Sequence, residues 1–336
     1  MGEVRLGKTG FVVNKNGFGA LPIQRIPMAE AVPLLQAAYE GGIRFFDTAR
    51  DYTDSEEKLG AALSEVRGEI VLATKTHALK GELFKRQLET SLRTLRTDYI
   101  DLYQFHNPPF CPKPGDGSGL WEAMEEARAQ GLVRHVGISL HRTELAEEAI
   151  DSGLYETLQF PMSYLSSERD LELVRRCGER GMGFIAMKAL SGGLITNSAA
   201  AYAFLDQFEN LVPIWGIQRE RELREFLSYA KNPPALTREL WEAIERDRRE
   251  LTGDFCRGCG YCLPCPAGID IPNAARMSLL LRRAPTGKFL SEEGRAKMAR
   301  IENCINCRHC ADNCPYGLDT PALLKRNYAD YKTFLR

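Results

Sequence analysis

Residues 99–139, YIDLYQFHNPPFCPKPGDGSGLWEAMEEARAQGLVRHVGIS, decide the fold. An apolar run (99–106) leads into a Pro/Gly-rich loop. A stretch of helical period (120–131) follows, then a second apolar run (133–139). Both runs carry Ile, Leu, Val and Phe with little polar alternation, so they read as strands buried on both faces. Two such strands joined through a helix make a parallel βαβ unit. The unit repeats in both directions. Strands are expected at 16–21, 44–48, 70–75, 99–106, 133–139, 155–160, 183–188 and 211–216. Helices are expected at 29–41, 54–66, 83–96, 120–131, 143–152, 168–181, 197–208 and 219–230. Asp54, Ser55 and Thr143 are expected N-terminal caps, and Gly131, Gly153 and Gly181 the stops. VRLGKTGFVVN (4–14) reads as an N-terminal hairpin. Eight βα units in about 230 residues predict an α/β fold, a (β/α)8 TIM barrel. A doubly wound sheet is the alternative, but its G-x-G-x-x-G turn after a first strand is absent.

Chemistry in a barrel of this kind gathers at the C-terminal ends of the strands. Those ends carry Asp47 and Tyr52, then Lys75, His106, Ser139 and Gln159. Each has a plain structural explanation: Asp47 as a cap or ion-pair member, Tyr52 as a loop aromatic, Lys75 as a solvated strand end, His106 as a turn residue. Four of them at one mouth point to chemistry instead. A phenol is a poor acid near neutral pH because its ordinary pKa is about 10. A lysine beside Tyr52 is expected to lower it, a carboxylate to aim the lysine, and a histidine to donate to a substrate oxygen.

The remaining third has a different character. Eight of the ten cysteines fall in two runs: Cys256, Cys259, Cys262 and Cys265, then Cys304, Cys307, Cys310 and Cys314. Pro266 and Pro315 follow the runs. The second is C-x2-C-x2-C-x3-C-P, the spacing that wraps a [4Fe–4S] cluster. Two runs predict two clusters. Disulfides would require an oxidising compartment, and MGEVRLGKTG lacks the apolar core of a signal peptide. Zinc usually takes two cysteine pairs with a longer gap between them. The 38 residues between the runs carry helical patterns near 272–283 and 288–303. A small, mainly α-helical ferredoxin-like domain is therefore expected. Cys177 is expected to be a packed apolar residue, and Cys111 a flexible loop thiol.

GIRFFDTARDYTDSEEKLGAAL (42–63), VLATKT (71–76), YIDLYQFHN (99–107), VRHVGIS (133–139) and LQFPMSYL (158–165) resemble the aldo-keto reductase family, over roughly residues 1–230. The cysteine-rich tail is similar to that of an iron–sulfur branch of the family. The resemblance implies an NAD(P)H-dependent oxidoreductase with Asp47, Tyr52, Lys75 and His106 as catalytic tetrad and Tyr52 as general acid/base. It places Ser139 and Gln159 on the nicotinamide carboxamide and Met187 beneath the ring. Lys188, Leu190 and Gly192 fall in AMKALSGGL (186–194), on the pyrophosphate loop. Gly216, Gln218 and Glu222 fall in GIQRERELREF (216–226), at the adenosine end. Glu222 hints at NAD over NADP, and Arg219 and Arg221 pull the other way. In ferredoxin-type modules the fourth cysteine of a run crosses to the other cluster, so Cys265 and Cys314 are expected to cross.

The expected layout is a barrel at 1–235, a connecting helix at 236–253 and the cluster domain at 254–336. The helix is expected to pack on the barrel through Leu240, Trp241, Ile244 and Leu251. A net charge of −1 gives no case for nucleic acid. No apolar run is long enough to span a membrane, and a cytoplasmic location is expected. Two functions remain open. One is hydride transfer to a small carbonyl or from an alcohol, with clusters that pass electrons or stabilise the fold; a flavin is not excluded as intermediary. The other is an electron-transfer or assembly subunit in which the barrel is a scaffold and the clusters serve a redox partner protein.

Overall fold

The computed structural model describes residues 2–251, 255–258, 260–283, 286–314 and 316–335. Two compact units are present. The first comprises Met1–Ala189 and Tyr202–Leu236, the second Leu190–Ala201 and Thr237–Arg336.

In the first unit, β1 (Glu3–Arg5) and β2 (Val12–Asn14) pair antiparallel, as the hairpin reading expects. Eight parallel strands then close a barrel: β3 (Gly17–Gly19), β4 (Phe45–Asp47), β5 (Val71–Thr76), β6 (Ile100–His106), β7 (Val133–Ser139), β8 (Thr157–Pro161), β9 (Gly183–Met187) and β10 (Leu211–Gly216). They neighbour one another in chain order, and β10 meets β3. This is the (β/α)8 barrel. Val4, Leu6, Val13, Phe45, Ala73, Leu102, Ile185 and Val212 share one buried cluster that includes the hairpin.

Helices α1 (Met28–Glu40), α2 (Ser55–Leu63), α3 (Gly81–Leu95), α4 (Leu120–Ala129), α5 (Thr143–Ser152), α6 (Glu168–Arg180), α7 (Ser198–Asp206) and α8 (Glu220–Lys231) alternate with the strands. Helix α3 shows why the pattern is legible. Phe84, Gln87, Leu88, Ser91 and Leu95 are buried at helical spacing, so one stripe faces the sheet. Helix α6 starts on a capping box of Ser167 and Asp170. It stops at Gly181, whose φ of +66° is left-handed.

Two caps differ from expectation. Asp54 makes no cap bond to the backbone of α2; its carboxylate accepts from Lys58 Nζ at 2.8 Å. Thr143 is the first residue of α5 rather than its cap, and its hydroxyl donates to Asp170 Oδ1 at 3.0 Å. In both cases a side chain, Lys58 one turn along α2 or Asp170 on α6, takes the place of the local backbone.

The second unit is helical, as expected: α9 (Arg238–Glu250), α10 (Ile271–Ala274), α11 (Met277–Arg283), α12 (Gly287–Leu290), α13 (Glu292–Ala299), α14 (His309–Asp312) and α15 (Thr320–Thr333). Helix α9 belongs to this unit and not to the barrel. The reason is a charged anchor: Arg283 donates to Asp247 at 2.7 Å and to Glu250 at 2.5 Å. Ile244 and Leu251 are buried as expected, but Trp241 is 37 % exposed. Residues 190–201 join the same unit. Arg276 donates to Gly192 O at 2.9 Å and Arg283 to Leu194 O at 3.2 Å. Among the described residues no helix is long and apolar enough to cross a membrane.

Candidate active site

Parallel pairing aligns the strand ends. Asp47 closes β4, Lys75 is the penultimate residue of β5, His106 closes β6 and Ser139 closes β7. His106 is paired with Ser139, and Ser139 with Gln159. The register alone therefore sets these side chains around one end of the barrel.

Lys75 Nζ donates to Asp47 Oδ2 at 2.7 Å and to Thr48 O at 2.6 Å. Both side chains are buried. Asp47 also accepts from the amides of Gln104 and Gln159, each at 3.4 Å. Gln104 donates in turn to Gln159 Oε1 at 2.8 Å. Tyr52 lies on the turn after β4, half-buried. Lys75 Nζ sits 5.3 Å from its ring centre. The His106 ring meets the phenol edge to face, with ring centres 5.9 Å apart. Asp47, Tyr52, Lys75 and His106 thus come together.

The electrostatics differ from the sequence expectation at Tyr52. Its phenol is held well above the ordinary value, first by burial and then by the charges of Asp47 and Asp51. The lysine does not reverse this, because its ammonium is committed to Asp47 and to a backbone carbonyl. Burial likewise raises the Asp47 carboxyl and lowers the Lys75 ammonium, while their contact opposes both shifts. His106 is pushed down to about 3, by burial first and then by Lys75. The ring is neutral and the phenol protonated, which is the acid form a carbonyl reduction needs.

His106 carries a pH consequence. An unfolded histidine takes up its proton near 6.5, the folded one only near 3. Between those values the unfolded state holds the extra proton. Stability therefore falls as pH drops through that window, by about 1.4 kcal/mol per pH unit for this group. His141, also lowered by burial and by Lys188, adds to the slope. Urea unfolding of His106→Asn against the parent at several pH values is expected to show a shallower acid limb.

Sequence reading missed the frame that holds Tyr52. Glu56 is buried on α2 and accepts from Thr74 and Ser91 at 2.7 Å, from Thr94 at 3.0 Å, and from Arg50. It ties the segment bearing Tyr52 to β5 and α3. Lys58, also buried, donates to Ile23 O at 3.0 Å and Ile26 O at 2.7 Å. In a sequence, a Glu and a Lys in a first helical turn look like solvated charges. The second omission is Asp51, next to Tyr52 in the chain; its carboxylate pairs with His77 and faces His106.

The expected nucleotide residues divide. Ser139 Oγ is buried and has no hydrogen-bond partner among the described residues, so a donor and acceptor remain for an amide such as a carboxamide. Gln159 is instead engaged with Gln104 and Asp47. Met187 is buried at the end of β9. Lys188 has a left-handed φ of +58°, and its Nζ lies 3.0 Å from His141 Nε2. Leu190 and Gly192 belong to the second unit. Gly216 closes β10. Beyond it, Gln218 N and Arg219 N both donate to Glu222 Oε2, at 3.0 and 3.1 Å. Glu222 thus closes the start of α8, where free N–H groups would attract an anion.

The second unit holds a pocket lined by Cys262, Cys265, Cys304, Cys307 and Cys310. Cys265 and Cys304 both lie near enough to Cys310 to raise its thiol electrostatically, secondary to burial. Two cysteines of the first run therefore line one pocket with three of the second, thiol donors of the kind that hold an iron–sulfur cluster, although among the described residues no group of three or more His, Cys, Asp or Glu side chains is placed to hold a metal ion. Gly258 N donates to Cys256 Sγ at 3.3 Å. Cys314 is partly buried, and Cys259 lies outside the described residues. Cys177 is buried as expected. Cys111 is not a flexible loop thiol: it is buried, its Sγ donates to Leu145 O at 3.3 Å, and burial pushes it up to about 12.

Comparison with known proteins bears on the family and the fold. The model of the aldo/keto reductase family matches residues 15–211, and that of a 4Fe-4S dicluster domain matches residues 255–319. L-galactose dehydrogenase of Arabidopsis thaliana is 30% identical over 210 residues, covering 57% of this chain and 66% of that protein. Prostaglandin F synthase 1 of Bos taurus is 29% identical over 210 residues, covering 54% and 64%. The matched region thus spans just under two-thirds of those relatives. Among solved structures, an aldo-keto reductase of Bacillus halodurans in its holo form superposes with a TM-score of 0.64 at 22% identity, covering 74% of this chain and 96% of that one. A thermostable aldo-keto reductase solved with the inhibitor epalrestat gives 0.62 at 26%, covering 74% and 100%. Barrel, strand-end residues and family match coincide on the same stretch: the chain belongs to the aldo/keto reductase family and carries a 4Fe-4S dicluster domain at its C-terminal end.

Proposed function

We propose that the protein is an NAD(P)H-dependent oxidoreductase that reduces the carbonyl of a small molecule, or runs the reverse alcohol oxidation. The observation that carries this reading is the convergence of Tyr52, the Lys75–Asp47 pair and a neutral His106 at one barrel end. A bound reduced nicotinamide supplies hydride to the carbonyl carbon. Tyr52 donates its proton to the carbonyl oxygen. His106 orients that oxygen, and Lys75 steadies the phenolate left behind. Ser139 holds the carboxamide, with Met187, Lys188, Gly216 and Gln218 along the rest of the nucleotide. Anaerobic nucleotide oxidation with an aldehyde panel, wild type against Tyr52→Phe, tests the assignment.

We further propose two [4Fe–4S] clusters, one on Cys256, Cys259, Cys262 and Cys314, the other on Cys304, Cys307, Cys310 and Cys265. Cys265 lines a pocket with Cys304, Cys307 and Cys310, as the crossed pattern needs, and Cys262 lines it too. Cys265→Ser is expected to lower bound iron from about eight to about four per chain. Iron analysis of oxygen-free protein checks this. Little or no iron in the parent, or an unchanged count in the variant, counts against the pattern.

A second reading has two observations in its favour. Gln159 is spent on Gln104 and Asp47, and Glu222 covers the start of α8. In that case the barrel is a scaffold and the clusters serve a redox partner. Direct titration with NADH and NADPH separates the readings: no binding of either favours the scaffold.

A further inference from the structure

At the barrel mouth a second set of titratable groups adjoins Tyr52, and the proposed reaction leaves it unused. His77, directly after β5, is 46% exposed. Its Nδ1 pairs with Asp51 Oδ1. The other oxygen, Asp51 Oδ2, lies 3.6 Å from His106 Nδ1. That nitrogen is buried and makes no hydrogen bond among the described residues. His106 in turn meets the Tyr52 ring edge-on. Solvent, His77, Asp51, His106 and the Tyr52 ring therefore follow one another from the rim inward, the last step a ring contact.

We propose that Asp51 and His77 form a proton entry that recharges Tyr52 through His106. The inference rests on the carbonyl-reductase reading above. Each carbonyl reduced removes one proton from Tyr52 and leaves a phenolate. For the next turnover that phenolate must regain a proton, and solvent is the source. His77 takes it up at the surface and passes it to Asp51, which passes it to His106 and so to the phenolate. No electrons move in these transfers, and one proton enters for each one delivered to product. The 3.6 Å gap exceeds a hydrogen bond and closes by a small side-chain rotation; contacts of this kind commonly tighten only in the working complex.

The surrounding charges suit the role. Asp51 is held below the usual carboxylate range: burial would raise it, but the His77 hydrogen bond and the charges of His77, His106 and Arg50 outweigh that. The same hydrogen bond raises His77, against burial and Arg50. His106 faces Lys75 from β5, Asp51 from the turn after β4 and Lys188 from beyond β9. It also faces His141 after β7. Lys75 and Lys188 both oppose a resting charge on His106, so a proton arriving there is passed on.

The test uses the full chain with clusters reconstituted without oxygen. Asp51→Asn and His77→Gln are expected to lower kcat on the order of tenfold. The nucleotide KM stays within about twofold, and the pH limb that follows His77 disappears. Imidazole in the buffer is expected to restore His77→Ala but not Asp51→Asn. Wild-type kcat and an unchanged pH profile in both variants would overturn the proposal, as would parallel losses in KM. The second readout is independent of turnover: nitrogen-15 spectra of histidine-labelled protein. His106 is expected to respond at the His77 midpoint in the parent and to cease doing so in Asp51→Asn, where that midpoint falls. Indifference of His106 to His77 in the parent sinks the entry path. A parent with no turnover on any carbonyl but with coupled histidines would instead refute the reaction.

Discussion

Tyr52→Phe lowers kcat by about two to four orders of magnitude while nucleotide affinity stays close to that of the parent. The ring remains, so its edge contact with His106 and its place above Lys75 are retained. What is lost is the O–H proposed to protonate the developing alkoxide. The phenol is held protonated by burial and by Asp47 and Asp51, so no hydroxide or ordinary water replaces it cheaply at neutral pH. Stopped-flow and steady-state assays with an aldehyde panel read the effect. Equal turnover in parent and variant would remove Tyr52 from the chemistry.

Lys75→Met is expected to be costly in a different way. The pair it breaks is buried on both sides, with Nζ 2.7 Å from Asp47 Oδ2. Removing one partner of a buried pair typically destabilises by about 3–5 kcal/mol, since the survivor is left as an uncompensated charge. Asp47 retains only the two 3.4 Å amide contacts from Gln104 and Gln159, and Thr48 O loses its donor. The barrel transition is expected to fall on the order of 10 °C. Asp47→Leu combined with Lys75→Met is expected to recover part of that loss, because no charge remains to be desolvated. Activity stays absent in both, since nothing then steadies a phenolate at Tyr52. Calorimetry of the two variants decides the point: equal transitions would show that the charge itself costs nothing.

Glu56→Gln probes the frame rather than the chemistry. One neutral oxygen cannot serve four donors as a carboxylate does, and the segment bearing Tyr52 loosens. A fall in kcat, together with faster amide exchange over 48–56, is expected.

The barrel was legible because its cause is local. Eight apolar runs lack alternation and are separated by stretches of helical period, as a parallel sheet covered on both faces requires, and the absent glycine-rich turn sets a doubly wound sheet aside. The strand-end residues were legible for the same reason, since register in such a sheet follows from where each strand stops. Cysteine spacing likewise survives without coordinates. Asp54, Thr143 and Cys111 differ from the local reading because a partner claims each: Lys58 one helical turn on, Asp170 on α6, and Leu145 O beside a buried thiol; Trp241 is more exposed than its apolar spacing suggests.

The sequence by itself determined the barrel, which residue types stand at its strand ends and the two cysteine runs, because periodicity and spacing are properties of neighbours along the chain. Tertiary structure alone decided the charge states at the mouth. Whether Lys75 outweighs burial at Tyr52 depends on where its three N–H bonds point, and Asp47 and Thr48 O claim two of them. It also decided that Glu222 closes a helix start, that Cys265 stands with the second run, and that Asp51 bridges His77 towards His106. These depend on distances between residues far apart in sequence, which no local pattern encodes.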